Sequence, residues 1–350
     1  MGTPRRWPAA PRHITAWFVQ GYRHPVSFLL GLLLLPLALV LGATYQINAA
    51  LWRQQALHHL GVSAHLAAEI VDETLTETLR FERLLAAQPG LREALRHHER
   101  ERLTAQLQAI LPFIPRVDLV MVTDVEGHVV ASYPSELSAS DHSVADTESF
   151  RGARQRGWQP YISAVYLRDG PEMAKVVDVI IPVVDGDTIL GLVQVQHQVE
   201  VIKSWLQKLR VGSSGFLYVV DHHDQLVVFP FQVLPGQPKT VSSWPPVAQP
   251  VSEAGGTLLF TDPRSRQRWL AGVHPIGRTG WRVVAVQPEQ EALQTFHHVF
   301  WSLGLLVALL AAIVVTIGLR WATLQTFSLE LMRQNAKLLR QLQQRRFGGS

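Results

Sequence analysis

Two stretches without a single Asp, Glu, Lys or Arg interrupt the alternation of polar and apolar residues along the chain: Pro25 to Trp52 (PVSFLLGLLLLPLALVLGATYQINAALW) and Ala292 to Leu319 (ALQTFHHVFWSLGLLVALLAAIVVTIGL). A helix needs about 20 apolar residues to cross the hydrocarbon core of a bilayer, so both are predicted to be transmembrane helices. The first run exceeds the roughly 7 to 15 apolar residues of a cleaved signal sequence, and its Pro36 introduces a kink of the kind that membrane helices tolerate.

Beyond the first run the pattern becomes amphipathic. Leu57, Leu60, Ala64, Ala67, Val71, Thr74, Thr78, Phe81 and Leu85 recur at alternating spacings of three and four, until Pro89 and Gly90 stop the helix. This is a heptad stripe on a long helix. Leu66, Ile70, Leu75, Leu79 and Leu84 lie off the stripe, so a second face is apolar as well. Either it meets a partner helix, or one chain buries the helix on two sides.

The period then changes. Leu119 to Pro134 (LVMVTDVEGHVVASYP) and Phe216 to Pro230 (FLYVVDHHDQLVVFP) both read as an apolar run, an Asp, three turn-forming residues, a second apolar run and a proline. Asp124 corresponds to Asp221, and Gly127 to Asp224. The echo continues in Ile181 to Gln196 (IPVVDGDTILGLVQVQ) and His274 to Gln287 (HPIGRTGWRVVAVQ). Short polar stretches between β-rich runs are hairpin signals, and Asp favours such turns by bonding nearby amides. The repeat predicts two units, each a five-stranded antiparallel sheet with helices on one face. Between them QVEVIKSWLQKLRVG (198–212) places Val201, Trp205, Leu206 and Leu209 at helical spacing, which predicts a connecting helix.

Charge fixes the expected orientation. The tails hold Arg5, Arg6, Arg12 and Arg23 at one end, and Arg320, Arg333, Lys337, Arg340, Arg345 and Arg346 with the single acid Glu330 at the other. By the positive-inside tendency both stay in the cytoplasm, leaving 53–291 outside. Of the chain's 32 basic and 28 acidic residues, 22 and 27 remain in that segment. The overall net charge of +4 therefore belongs to the tails, and nucleic-acid binding loses its support. With no cysteine, disulfides play no part.

Asp221, His222, His223 and Asp224 are four consecutive metal-ligand types. As a metal site they would make the chain an Asp-His-His phosphoesterase, but the repeat copy reads Asp-Val-Glu-Gly, with no histidine. A hairpin turn explains both copies, so no metal, cofactor or catalytic residue is assigned. The histidine pairs His58/His59, His97/His98, His222/His223 and His297/His298 suggest pH or metal sensing. Consecutive positions do not share a helix face, which ranks that reading lower.

The long helix, the paired sheet units, the flanking apolar runs and the stretches GFLYVVDHHDQLVVFP and HPIGRTGWRVVAVQPEQEAL resemble the double Cache domain of bacterial transmembrane receptors over about residues 53–295. The resemblance implies an α+β fold: a long stalk helix with two stacked PAS-like antiparallel sheet modules, flanked by two transmembrane helices. The divisions are a basic cytoplasmic tail (1–24), transmembrane helix (25–52), stalk and second helix (53–116), membrane-distal module (117–197), connecting helix (198–211), membrane-proximal module (212–291), transmembrane helix (292–319) and the start of a cytoplasmic coiled coil (320–350). It also implies a small-molecule ligand in the distal module, a homodimer in the bacterial inner membrane, and an output of histidine-kinase, chemoreceptor or cyclase type.

Within the distal module, Asp141 to Leu167 clusters aromatic and basic residues. An anion or zwitterion requires a guanidinium for its carboxylate and aromatic walls that exclude water. Phe150, Arg154, Arg156, Trp158, Tyr161 and Tyr166 suit that task. Lys175 and Asp178 on the following strand add charge; their odd spacing lets only one face the pocket. The alternative assigns Trp158 and Tyr161 to the core and the arginines to a solvated helix face. Amino-acid-binding relatives carry Arg-x-Trp-Tyr here and dicarboxylate-binding relatives Asp-Arg-x-Tyr-Phe; this chain reads Asp146, Thr147, Glu148, Ser149, Phe150. Neither specificity is transferred.

After the second run, Leu324, Leu331 and Leu338 fall seven apart, Leu342 follows, and Asn335 takes an a position, which favours a parallel two-stranded coil. Residues 320–350 hold neither a phosphoaccepting histidine nor a cyclase loop. The output is therefore expected either from a missing domain, as in a sensor histidine kinase cut short, or from a separate cytoplasmic signalling partner. The competing reading is a membrane-anchored scaffold that binds an envelope protein without a small ligand.

Overall fold

A computed structural model describes residues 25–111, 117–134, 143–168, 174–206, 209–230, 237–263, 265–277 and 279–347. The basic tail 1–24 and the side chains of Leu331, Leu338 and Leu342 lie outside the described residues. Both charge-free runs are helical. The first falls within α1 (Pro25–Ala86), which includes Pro36, and the second, from its third residue on, within α8 (Gln294–Phe347). Both helices are long and apolar enough to cross a membrane, with mean hydropathy of 1.3 and 2.6 over their most apolar 18 residues. Within the charge-free runs Leu35, Leu39, Leu305 and Leu309 are exposed, as side chains that meet lipid would be.

Trp52–Leu293 forms one compact unit. The amphipathic part of α1 buries Leu60, Ala64, Ala67 and Val71 completely or nearly so, as the stripe predicts. Further along, Thr74, Thr78 and Phe81 are only half-buried, and the off-stripe Leu75, Glu82 and Ala86 share the contact with Leu85 of the stripe. A straight helix has 3.6 residues per turn, so a seven-residue repeat drifts by about 20° per heptad and the buried face rotates away from the stripe. Off the stripe, Leu66, Ile70 and Leu84 are exposed. Helices α2 (Pro89–Arg96), opened by a proline where no amide partner is needed, and α3 (Arg100–Ile110) add Leu91, Leu95, Leu103 and Leu107 to the same core.

Each module is an antiparallel sheet. The first comprises β1 (Val117–Thr123), β2 (Val129–Tyr133), β3 (Tyr161–Ile162), β4 (Tyr166–Leu167), β5 (Lys175–Asp185) and β6 (Thr188–Gln198), with α4 (Glu148–Gln155) inserted after β2. Its order is β2-β1-β6-β5-β3, with β4 also pairing with β5. After the connecting helix α5 (Glu200–Leu206), shorter than the sequence suggests, come β7 (Phe216–Val220), β8 (Leu226–Val228), α6 (Pro245–Ala248), β9 (Gly256–Thr261), β10 (Arg268–Ile276), β11 (Trp281–Pro288) and α7 (Glu289–Ala292). The second order is β8-β7-β11-β10-β9, the same path as the first, so the sequence repeat is a repeat of topology.

Strand alternation divides each sheet into two faces. Val120, Val122, Val177, Val179, Val193 and Val195 of the first sheet, and Leu217, Val219, Leu270, Val283 and Ala285 of the second, join α1 in one core. At Gly272 on β10 the backbones come so close that an added Cβ would lie 2.4 Å from the carbonyl of Leu60. The opposite faces are closed by the short helices: Ile180 and Leu192 pack with Phe150 and Ala153 of α4, whereas Tyr218, Val273 and Val284 pack with Val247 of α6.

Candidate ligand-binding site

The two repeated Asp stretches are hairpin turns built alike. Asp124 Oδ1 accepts from the amides of Glu126 and His128 at 3.0 and 2.7 Å, and Asp221 Oδ1 from those of His223 and Gln225 at 2.8 and 2.9 Å. Gly127 and its counterpart Asp224 both have positive φ, +94° and +58°. Asx turns explain the Asp and the left-handed position explains the Gly or Asp that follows. Asp221 differs in being fully buried: its Oδ2 accepts the Val165 amide of the first module at 2.9 Å.

The inner face of the first sheet, away from α1, carries a buried polar group beside the apolar cluster of Ile180 and Leu192. Asp178 is 1% exposed there. The Tyr166 hydroxyl lies 2.8 Å from both of its oxygens, and Gln196 Nε2 donates to Tyr166 at 2.6 Å and to Asp178 Oδ1 at 3.4 Å. The Ser163 hydroxyl accepts the Asp178 amide. Burial raises the Asp178 carboxyl to about 6, although bonds from Tyr166, Ser149 and Gln196 oppose the shift. Burial and the neighbouring carboxylate push the Tyr166 hydroxyl well above its usual range, so it remains a donor. Arg168, 5% exposed, completes the group through Asp118 Oδ2 at 2.8 Å and Gln196 Oε1 at 3.2 Å.

Of the residues expected from the sequence, Tyr166 and Asp178 enter this network. Phe150 and Tyr161 form the adjoining apolar wall, and Trp158 meets Phe150 edge-on with ring centroids 5.3 Å apart. The Tyr161 hydroxyl donates to Glu148 Oε1 at 2.5 Å. Arg154 and Arg156 are exposed on or just past α4; the Arg156 guanidinium stacks 4.9 Å from the Tyr161 ring centroid. Lys175 is half-buried and lies outside the Asp178 network, its ammonium pKa lowered chiefly by burial. The buried guanidinium is Arg168, which sequence reasoning missed along with Asp118, Ser149 and Ser163. Gln196 was not among the expected residues either, although a signal existed: Gln194 and Gln196 alternate with Val193 and Val195 on a strand buried on both faces.

The equivalent face of the second sheet has the opposite character. Phe216, Tyr218, Phe229, Trp244, Phe260 and Trp269 surround a cavity of about 230 Å³. One topology thus presents a charged inner face in the first module and an aromatic one in the second.

The profile of the Cache domain family matches residues 48–296. Among solved structures, the chain resembles mmHK1S-Z2, described as the extracellular domain of a histidine kinase (15% identity, TM-score 0.51, covering 69% of this chain and 99% of that one). It also resembles the ligand-binding domain of the Pseudomonas aeruginosa amino acid chemoreceptor PctB in complex with L-Arg (17%, 0.52, 67% and 96%). A third is the ligand-binding domain of the Pseudomonas fluorescens chemoreceptor CtaA in complex with L-isoleucine (14%, 0.53, 71% and 98%). At these identities the likeness establishes the fold. A search of curated protein sequences found no match.

Proposed function

Because the chain belongs to the Cache domain family of sensor modules, we propose that it is the input part of a transmembrane receptor that binds a small zwitterion on the inner face of its first module. The observation that carries this reading is the buried Asp178 beside the buried Arg168, linked through Gln196. Burying opposite charges costs more than an apolar core of the same volume returns, and such groups concentrate at functional sites. Asp178 would take a ligand ammonium and Arg168 a carboxylate, with Phe150, Trp158 and Tyr161 walling the site. That two neighbours were solved with amino acids, L-Arg and L-isoleucine, supports the same ligand class.

The flanking helices support a receptor spanning the membrane twice, with both ends cytoplasmic and residues 53–291 outside; the apolar second face of α1 would join it into a homodimer. The signal would pass through α8 to a kinase-type or other output. A ligand shifts such an equilibrium only by its differential affinity for the two arrangements. The test is thermal unfolding of the intact chain in detergent with an amino-acid panel. A ligand at about 100 times its dissociation constant should stabilise the protein by about 2.7 kcal/mol, and Asp178→Asn or Arg168→Gln should abolish the response. No stabilisation by any zwitterion, or a response unchanged in both variants, overturns the site. A topology reporter fused near residue 170 that proves cytoplasmic overturns the receptor.

A further inference from the structure

The turn that answers the Asp-His-His question brings its histidines to a carboxylate of the other module. Glu148, in the first turn of α4, points Oε1 at His222 Nε2 (3.4 Å) and His223 Nε2 (3.7 Å). The three donor atoms all lie within 4.8 Å of one another. We propose that Glu148, His222 and His223 bind a divalent transition metal of the zinc class at the seam between the two sheet modules.

The spacing is the first argument. A tetrahedral Zn²⁺ with ligands at about 2.0–2.1 Å sets its donors about 3.3 Å apart. The two carboxylate–imidazole separations need only small side-chain rotations to match. The second argument is the donor set: two imidazoles and one carboxylate select zinc, nickel or copper over magnesium and calcium, which prefer all-oxygen shells. A fourth position stays open to water, since His223 and Glu148 are partly exposed, 53% and 38% by side chain.

The third argument is how firmly the donors are held. Asp221 pins the turn through His223 N and Gln225 N and ties it to Val165 of the first module. Gly280 abuts His222, where an added Cβ would sit 3.0 Å from the His222 Cβ. Gly152 lets the Tyr161 ring lie against α4, where a Cβ would fall 2.3 Å from Cζ, and Tyr161 braces Glu148. Glu148 Oε2 accepts the Ala164 amide at 3.2 Å. The Tyr161 hydroxyl lies 3.2 Å from His222 Nε2 as well as 2.5 Å from Glu148 Oε1, so both donor atoms already converge on one polar point. Metal held here would tether α4, which carries Ser149 to the Asp178 network, to the second module, and so couple the modules.

The metal reading stands whether or not a zwitterion binds at Asp178. The test is calorimetric titration of the metal-stripped full-length chain in detergent with zinc chloride, with magnesium chloride as control. One zinc equivalent should bind, with at least tenfold weaker affinity in Glu148→Gln and in His222→Ala/His223→Ala, and undiminished affinity in His97→Ala/His98→Ala. Replacing zinc with Co²⁺ should give the visible absorption of a tetrahedral ion, lost in the same variants. His223→Ala alone, at an exposed side chain, should fold normally and weaken binding as well. Absence of saturable zinc binding, or an equivalent that persists in the Glu148 and His223 variants, overturns the proposal.

Discussion

Glu82 on α1 and His197 on β6 meet with Oε1 and Nε2 2.7 Å apart, the carboxylate wholly buried where helix and sheet pack. Burial raises the Glu82 carboxyl to about 7, only partly offset by the hydrogen bond and charge of His197. The ordinary value is 4.5, so between about pH 4.5 and 7 the folded protein holds a proton that the unfolded chain has released. Stability therefore falls as pH rises through that window. Asp178, raised to about 6, acts in the same direction from about pH 4 upward. Denaturant unfolding at pH 5 and pH 7.5 should show a loss on the order of a few kcal/mol at the higher pH, and Glu82→Gln should flatten the profile above pH 5. A wild-type profile that rises over this range contradicts the assignment.

Gly272 allows β10 to touch the backbone of α1 at Leu60. Gly272→Ala must push the helix off the sheet, and overpacking of this kind costs about 1–3 kcal/mol. Gly186, in the β5–β6 turn with nothing near its missing Cβ, serves as the comparison. Its substitution by Asn, which tolerates positive φ, should leave the unfolding midpoint nearly unchanged.

Asp124 and Asp221 occupy the same place in the repeat but differ in environment. Asp221→Ala removes two turn bonds and strands the Val165 amide between the modules, for roughly 3 kcal/mol, whereas Asp124→Ala at a solvent-facing turn costs about 1 kcal/mol. Equal losses in the two variants would show that the inter-module bond contributes nothing.

Val62, Leu66 and Ile70 form an exposed apolar row on α1, between 41% and 54% exposed, at the i, i+4, i+8 spacing of a helix contact. With the homodimer proposed above, Leu66→Glu with Ile70→Glu should weaken dimerisation at least tenfold by light scattering. Unfolding of the monomer should change by no more than about 0.5 kcal/mol, since surface substitutions rarely do more. A chain that is monomeric before substitution removes this role for the row.

The sequence by itself determined the two membrane-length helices, the long amphipathic helix, the duplicated sheet units and the Asp turns. Each of these rests on local periodicity or on a side chain bonding within its own loop. Its heptad stripe is only half-buried from Thr74 to Phe81 and fully buried again at Leu85, because the rotation of a straight helix against a seven-residue repeat is a three-dimensional effect. The tertiary structure alone decided which guanidinium is buried: Arg154 and Arg156 share composition with a binding site yet face outward, while Arg168 is drawn inward by Asp118 and Gln196 from distant strands. It also decided that Glu82 is buried against His197 and that Glu148 faces His222 and His223. Those partners are separated by 115, 74 and 75 residues, and only the stacking of sheets on one helix brings such groups within hydrogen-bond or coordination range.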